Sequence, residues 1–403
     1  MKKLLVLGDN VHSYELLKNA QKRGVYTIIS ADVIKEQSPS RQVADECWDI
    51  SVTDVDALVK KAKEEGVNAV ICGASELCIK SVREMCKCMN TPFWIGEEAW
   101  RITNDKKIFK DLCLTCGLPV AREFMVDNEL NQEDLNNVEF PVVVKPVDGC
   151  SSIGVHICNN IQDLMAGYKD AYEKSATHQV LVEKYFSGWE ISLVYIFKEG
   201  RPNLVGSFDV LGVKEDNNTL VFGFGTSKYL KRYEEEWKKP FERLFSELNC
   251  KTGVGFVQMV LEKENAAVME MNYRLPGGHI KEDQLLHQHM IDCALNEDTL
   301  NIDQILQTPQ ARTFTYAIWL KGGKINKISG IEEIKNKLNI VSMDIQKRVG
   351  DVIEENSGMR RIFTFITCFV DLEKVEDTVK FINETLCIED ENGNDMVYKY
   401  NYY

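Results

Sequence analysis

A chain of 403 residues is too long for one ordinary hydrophobic core, so two to three domains are expected. Hydrophobic residues at 44% and charged residues at 27% fit a soluble globular protein, and no apolar run reaches the roughly 18–20 residues of a membrane span. A formal net charge of −14 argues against the basic surface that nucleic acid or an anionic membrane requires, but leaves room for a small anion in a locally basic pocket.

The opening "MKKLLVLG" has an apolar run that stops at Asp9, which reads as a first strand over 3–8 and not as a leader peptide. A helix over 13–23 ends at Gly24, followed by strands at 26–30 and 68–73 and helices near 54–65 and 76–89. Alternation of strand and helix predicts a parallel sheet with crossovers. The first turn, "LGDNVHSYELL", lacks G-x-G-x-x-G and so is no dinucleotide fingerprint, although such a turn could hold a small ligand at a helix start. A helix near 103–116 takes Thr103 or Asn104 as its cap and Gly117 as its stop. A strand at 141–146, a glycine loop, a strand at 154–158, a helix at 161–174 and a strand at 180–184 form a small α+β unit with room to move as a lid. In 301–403, "TFTYAIWL" and "RIFTFITCFV" read as strands and 373–385 as a helix, with no catalytic constellation. The thirteen cysteines include Cys86-x-Cys88 and Cys113-x-x-Cys116, but both pairs lie in helical sequence where zinc knuckles want turns; free thiols in a reducing cytoplasm are expected.

Chemistry concentrates in four segments. In "KPVDGCSSIGV", residues 145–155, Lys145 precedes the glycines, the reverse of a Walker loop. Strand alternation points Val143 and Lys145 the same way, and the stretch from Gly149 through Ser151 and Ser152 to Gly154 lets backbone N–H groups approach a phosphate; a tight hairpin with an incidental lysine is the competing reading. In "LVEKYFSGWEIS", Glu183, the backbone of Lys184 to Phe186, and Glu190 could serve an adenine edge and a ribose, or form a solvated hinge. In "GVGFVQMVLEKENAAVMEMNYRLPGG", two strands are read, with Gln258 and Val260 sharing a face on the first and Glu270 and Asn272 sharing a face on the second. A carboxylate set among methionines wants a cation, and oxygen ligands on adjacent strands suit Mg²⁺, with Arg274 next on that face for a phosphoryl oxygen; a structural Glu–Arg pair is the alternative. In "TNDKKIFK", Lys106 or Lys107 on a first helical turn could reach a phosphate, or be plain helix surface.

In this order the four segments resemble the ATP-grasp superfamily over roughly residues 1–300. The resemblance implies an α/β fold: a Rossmann-like pre-ATP-grasp domain at 1–96, an ATP-grasp domain of two α+β subdomains at 97–300 with a mobile lid at about 119–182, and a small α+β C-terminal lobe at 301–403. It assigns Lys106, Lys145, Gly149, Ser151, Ser152 and Gly154 to the phosphates. Val143, Val260, Glu183, Lys184 and Phe186 go to adenine, and Glu190 to ribose. Gln258, Glu270 and Asn272 go to Mg²⁺ or Mn²⁺, and Arg274 and Lys145 to catalysis. Gln258 stands where many members carry an acid, and looks like the glutamine of carbamoyl-phosphate synthetase large subunits. "MNYRLPGGH" and the C-terminal "GGKINKISGIEEI" resemble the L-amino acid ligase branch, which puts Glu76, Arg274 and Gly278 near the substrate and makes His279 a loop residue shaping the site. The implied activity is an ADP-forming carboxylate–amine ligation through an acyl phosphate, with ATP, a small acid such as an amino acid, and an amine as reactants, in a cytoplasmic homodimer. A bicarbonate-acting carboxylase or carbamoyl phosphate former, and an ATP-binding regulator without turnover, are the rival readings.

Overall fold

Strand Lys3–Leu7 lies between Tyr26–Ser30 and Ala69–Cys72, and Glu46–Trp48 extends the sheet, giving four parallel strands. Leu4, Leu5, Val6 and Leu7 are all fully buried, as a central parallel strand covered on both faces must be. Helices Ser13–Lys22 and Val55–Glu64 lie in the crossovers between strands, and Glu76–Met89 follows the last strand of the sheet. Asp54 caps the second of these helices by accepting from the Ala57 amide, and Ser75 caps the third through Cys78. The predicted alternation is therefore present, with one added short helix, Pro39–Val43, and the added strand Glu46–Trp48.

The computed structural model describes residues 1–10, 12–32, 38–149, 153–215, 218–227, 229–262, 264–277, 283–302, 313–355 and 361–400. The chain falls into two compact units. Met1–Gly188, Leu193–Gly206 and Arg232–Gln307 form one; Trp189–Ser192, Ser207–Lys231 and Thr308–Tyr403 form the other.

The first unit holds the parallel sheet and two further sheet elements. Val142–Pro146 is the centre of an antiparallel trio with His156–Cys158 and Val180–Lys184. Its strand alternates buried and half-buried positions, so Val142 and Val144 pack against Leu164, Tyr168 and Ala171 of helix Ile161–Lys174 while Val143 and Lys145 face the other way. Strands Gly253–Glu262 and Asn265–Asn272 pair antiparallel with a register shift between Gln258 and Met259. Tyr195, Phe197, Phe241 and Phe245 form an aromatic core in the same unit, with Tyr195 and Phe245 ring centroids 4.7 Å apart.

The helix expected near 103–116 is Lys106–Thr115, and a further helix, Glu97–Thr103, precedes it. The cap is Asp105, whose carboxylate accepts from the amides of Lys107 and Ile108 at 3.0 Å each. Thr103 and Asn104 instead bond back to the carbonyls of Ala99 and Trp100, closing the preceding helix.

The second unit is an antiparallel array: the later part of Arg201–Glu215, then Asn218–Thr226, Thr313–Trp319, Ile362–Phe369 and Ile340–Ile345. Helix Val375–Thr385 covers a core that includes Tyr316, Phe363, Ile366 and Ile382. The Tyr316 hydroxyl donates to Asn383, which in turn donates to the Tyr400 carbonyl. The two strands and the helix expected in this stretch are present. No helix among the described residues is long and apolar enough to cross a membrane, and the described cysteines are free thiols, most of them buried.

One glycine in the first unit has no room for any side chain. A Cβ on Gly188 would lie 1.7 Å from the Leu261 carbonyl oxygen, at a place where the Ser187 amide also donates to Glu262 at 3.1 Å. Gly188→Ala is therefore expected to force the strand end apart and to cost about 1–3 kcal/mol, read as a lower urea midpoint. An unchanged midpoint would show that this close approach is not required.

Candidate functional site

Val143 pairs in register with Glu183, so the diagonal neighbour Lys145 reaches the Glu183 carboxylate on the face turned away from the valine core. Lys110 arrives from helix Lys106–Thr115 and donates to the other oxygen of Glu183 at 2.7 Å. Lys110 also lies 3.6 Å from Glu123, and Lys107, three residues earlier on the helix, lies 3.4 Å from the second Glu123 oxygen. The result is a chain of charges: Lys145, Glu183, Lys110, Glu123, Lys107. Its centre is buried, the side chains of Glu183 and Lys110 being 8% exposed. Burial alone would raise the Glu183 carboxyl, but the ammonium groups of Lys145 and Lys110 outweigh it and hold Glu183 below the ordinary carboxylate range.

A second cluster adjoins through Lys106. Its amide donates to the Val147 carbonyl at 3.0 Å, fixing the helix start to the end of the Lys145 strand. Its ammonium donates to the Gly149 carbonyl and lies 3.7 Å from Glu270. Lys106 and not Lys107 thus joins the glycine loop to the acidic strand. Across the register shift Gln258 stands opposite Glu270, and the Asn272 amide nitrogen lies 3.1 Å from Glu270 Oε1 and 3.4 Å from Gln258 Oε1. Three oxygen-bearing side chains meet there. Among the described residues no three His, Cys, Asp or Glu side chains form a metal cluster, since two members of this set are amides.

Arg274 continues the same strand face. Its guanidinium bonds Glu76 at the first turn of helix Glu76–Met89, donates to the Leu275 carbonyl at 2.8 Å, and sits 5.3 Å from the centre of the Phe256 ring. The Glu270–Arg274 pair of the alternative reading does not form; Arg274 pairs with Glu76 and Glu270 with Lys106. The turn that follows is tied down by a buried pair: His12 Nε2 lies 2.8 Å from the Pro276 carbonyl and His12 Nδ1 lies 2.9 Å from His287 Nε2. A carbonyl only accepts, so Nε2 carries the hydrogen and a neutral His12 accepts from His287. The residue 8–13 turn is in this way fastened to the Arg274 loop.

The other expected residues fall as follows. Gly154 adopts φ +73° beside Pro146, a backbone that favours glycine. Val260 is buried and Phe186 half-buried. The Lys184 amide donates to the Arg122 carbonyl at 2.8 Å, and its ammonium donates to the carbonyls of Glu139 and Phe140 at 3.2 Å each. Glu190 is half-buried and belongs to the second compact unit. Ser151, Ser152, Gly278 and His279 lie outside the described residues. Lys110, Glu123, His12 and His287 were not singled out from the sequence; the spacing of Lys106, Lys107 and Lys110 on one helix was the available signal for the first of them.

The depressed Glu183 carboxyl has a consequence for stability. Its ionised form contributes fully above the unfolded carboxylate range, about pH 4.3, and the contribution is lost as pH falls through the lower folded-state value. Glu183→Gln leaves two buried ammonium groups under-compensated and is expected to cost about 3 kcal/mol at pH 7. The gap to wild type should narrow below about pH 4 in denaturation series; a gap that widens in acid would contradict the ionised assignment.

Residues 138–283 match the model of the ATP-grasp domain. A large chain of carbamoyl phosphate synthase from Thermoanaerobacter sp. (strain X514) is 24% identical over 242 residues, 56% of this chain and 22% of that one, so the chain spans about a fifth of that relative. An L-amino acid ligase from Bacillus licheniformis is similar in structure, with a TM-score of 0.76 at 17% identity over 97% of this chain and 99% of the other. The biotin carboxylase domain of the Hydrogenobacter thermophilus 2-oxoglutarate carboxylase, solved with MgADP, ADP and bicarbonate, gives a TM-score of 0.73 at 16% identity over 98% and 91%. At such identities the structures attest a shared fold. The family match and the resemblance read from the four segments name the same superfamily.

Proposed function

We propose that this chain, whose residues 138–283 are an ATP-grasp domain, is an ADP-forming ligase that joins a small carboxylic acid, an amino acid in the first instance, to an amine. The observation that carries the reading is Lys106, whose ammonium touches the glycine-loop carbonyl of Gly149 and stands 3.7 Å from Glu270. One side chain thereby joins a loop suited to phosphate and a cluster of oxygen ligands suited to a hard cation. Similarity to an amino acid ligase over nearly the whole chain supports the branch.

In this reading Lys106, Lys145 and the backbone from Gly149 through Ser151 and Ser152 to Gly154 hold the ATP phosphates, and Val143, Val260, Glu183 and the Lys184–Phe186 backbone line the base. Gln258, Glu270 and Asn272 would hold Mg²⁺ or Mn²⁺; with one carboxylate among three donors, such an ion relies on water and phosphate for the rest of its shell. Bound there, the ion would neutralise charge on the phosphoryl group in transfer. Lys145 and Arg274 supply positive charge to the same group, and Glu76, Arg274 and Gly278 stand near the acceptor acid. Residues 119–182 would close to keep water from the acyl phosphate. We assign 1–96, 97–300 and 301–403 as the functional divisions, and a cytoplasmic homodimer as the assembly. A second reading, attack on bicarbonate, is supported by the similarity to carbamoyl phosphate synthase and by Gln258 at the first ligand position.

Lys145→Ala is expected to lower ADP formation at least about a hundredfold with the fold intact. Glu270→Gln should abolish the metal dependence of nucleotide binding, Asn272→Ala weaken it less, and Gln258→Glu tighten it, because each charge added to the ligand set strengthens attraction to a divalent ion. Equal metal dependence in wild type and all three variants would remove the metal assignment. In a panel of amino acids with bicarbonate as control, the active acid labelled with ¹⁸O should pass label to released phosphate, and hydroxylamine should trap a hydroxamate. Release of AMP would overturn the ligase reading and leave the fold standing.

A further inference from the structure

The charge chain Lys145–Glu183–Lys110–Glu123–Lys107 contains three ammonium groups and two carboxylates. Removing Lys145 from the count leaves Lys110 and Lys107 against Glu183 and Glu123, a balanced set. Lys145 is thus the surplus cation, and Glu183 can give it up without becoming an uncompensated buried charge. Lys110 makes this possible: it donates to Glu183 at 2.7 Å, on the oxygen that Lys145 does not use, and it is as buried as the carboxylate. Were Lys110 absent, Lys145 would be the sole cation on a carboxylate that is 8% exposed, and drawing it away would strand that charge.

We propose that Lys110 is a positioning residue that acts through Glu183, holding that carboxylate neutralised so that Lys145 can exchange from Glu183 to an arriving phosphate. The inference rests on the reading of Lys145 as a phosphate ligand. Lys110 itself touches no phosphate in this scheme; its effect reaches the nucleotide only through the shared carboxylate. Because Glu183 also lines the base in that reading, the effect is larger for ligands that carry phosphates than for adenosine, and it should vanish once Glu183 is neutral. Arginine can keep the charge on Glu183, so a conservative replacement preserves the exchange.

The test is calorimetric titration of the full chain with ATP plus Mg²⁺ and, separately, with adenosine. Lys110→Met is expected to weaken ATP binding about tenfold or more and adenosine binding much less, and Lys110→Arg to restore most of the ATP affinity. Against a Glu183→Gln background, adding Lys110→Met should cost no further ATP affinity. This last comparison removes both members of the ion pair and leaves no stranded carboxylate, so it can still overturn the proposal if Lys110→Met alone does not fold. Unchanged ATP binding in Lys110→Met, equal loss of ATP and adenosine, or a further loss in the double variant would each overturn the proposal. Wild type that binds no ATP would instead sink the functional reading on which it stands.

Discussion

A buried carboxylate cannot stay ionised without countercharge, and Glu183 is the point at which this constraint shapes the rest of the first unit. Two ammonium groups from different elements, Lys145 on a strand and Lys110 on a helix, converge on its two oxygens. That convergence requires helix Lys106–Thr115 to lie beside the three-stranded sheet with its lysine face inward. The helix start is held there by the Asp105 cap and by the bond from the Lys106 amide to Val147.

Once the helix is so placed, Lys106 has little choice of surroundings. It sits at the first turn, next to the loop carbonyl of Gly149 and within reach of Glu270 on a different sheet element. One short helix therefore serves both clusters: its Lys107 and Lys110 face carries the charge chain, and its Lys106 bridges loop and acidic strand. The strand register does the rest. The shift between Gln258 and Met259 leaves Gln258 opposite Glu270, and alternation adds Asn272 to the same face. Arg274 follows two residues on and is held by Glu76, so the parallel sheet contributes one carboxylate to the site through a helix start.

The His12–His287 pair shows the same economy at the far end of the cluster. A turn without a glycine fingerprint is fixed by side chains: Asn10 accepts from the Ala74 amide at 3.2 Å, and His12 reaches the Pro276 carbonyl. The loop after Arg274 is thereby anchored to the start of the first helix, 264 residues away in sequence.

Much of this was legible in the residues. The alternation of apolar runs and amphipathic stretches fixed helices 76–89 and 161–174 and strands 26–30 and 180–184 at the bounds the structure has, because period and capping are local properties. Period 2 placed Val143 with Lys145, and spacing put Glu270 with Asn272. From the sequence the cap falls at Thr103 or Asn104 because Thr103, Asn104 and Asp105 are all competent caps, and only the return of Thr103 and Asn104 to carbonyls of the preceding turn leaves Asp105 for the next helix. Partners were a different matter. That Glu183 would take Lys110 as well as Lys145, that Arg274 would meet Glu76 across 198 residues, and that His12 would meet His287 depend on which elements pack together. Sequence determined which groups carry charge and which face each one occupies; tertiary packing decided which opposite charge stands within reach, because burial makes that pairing obligatory and no local periodicity encodes it.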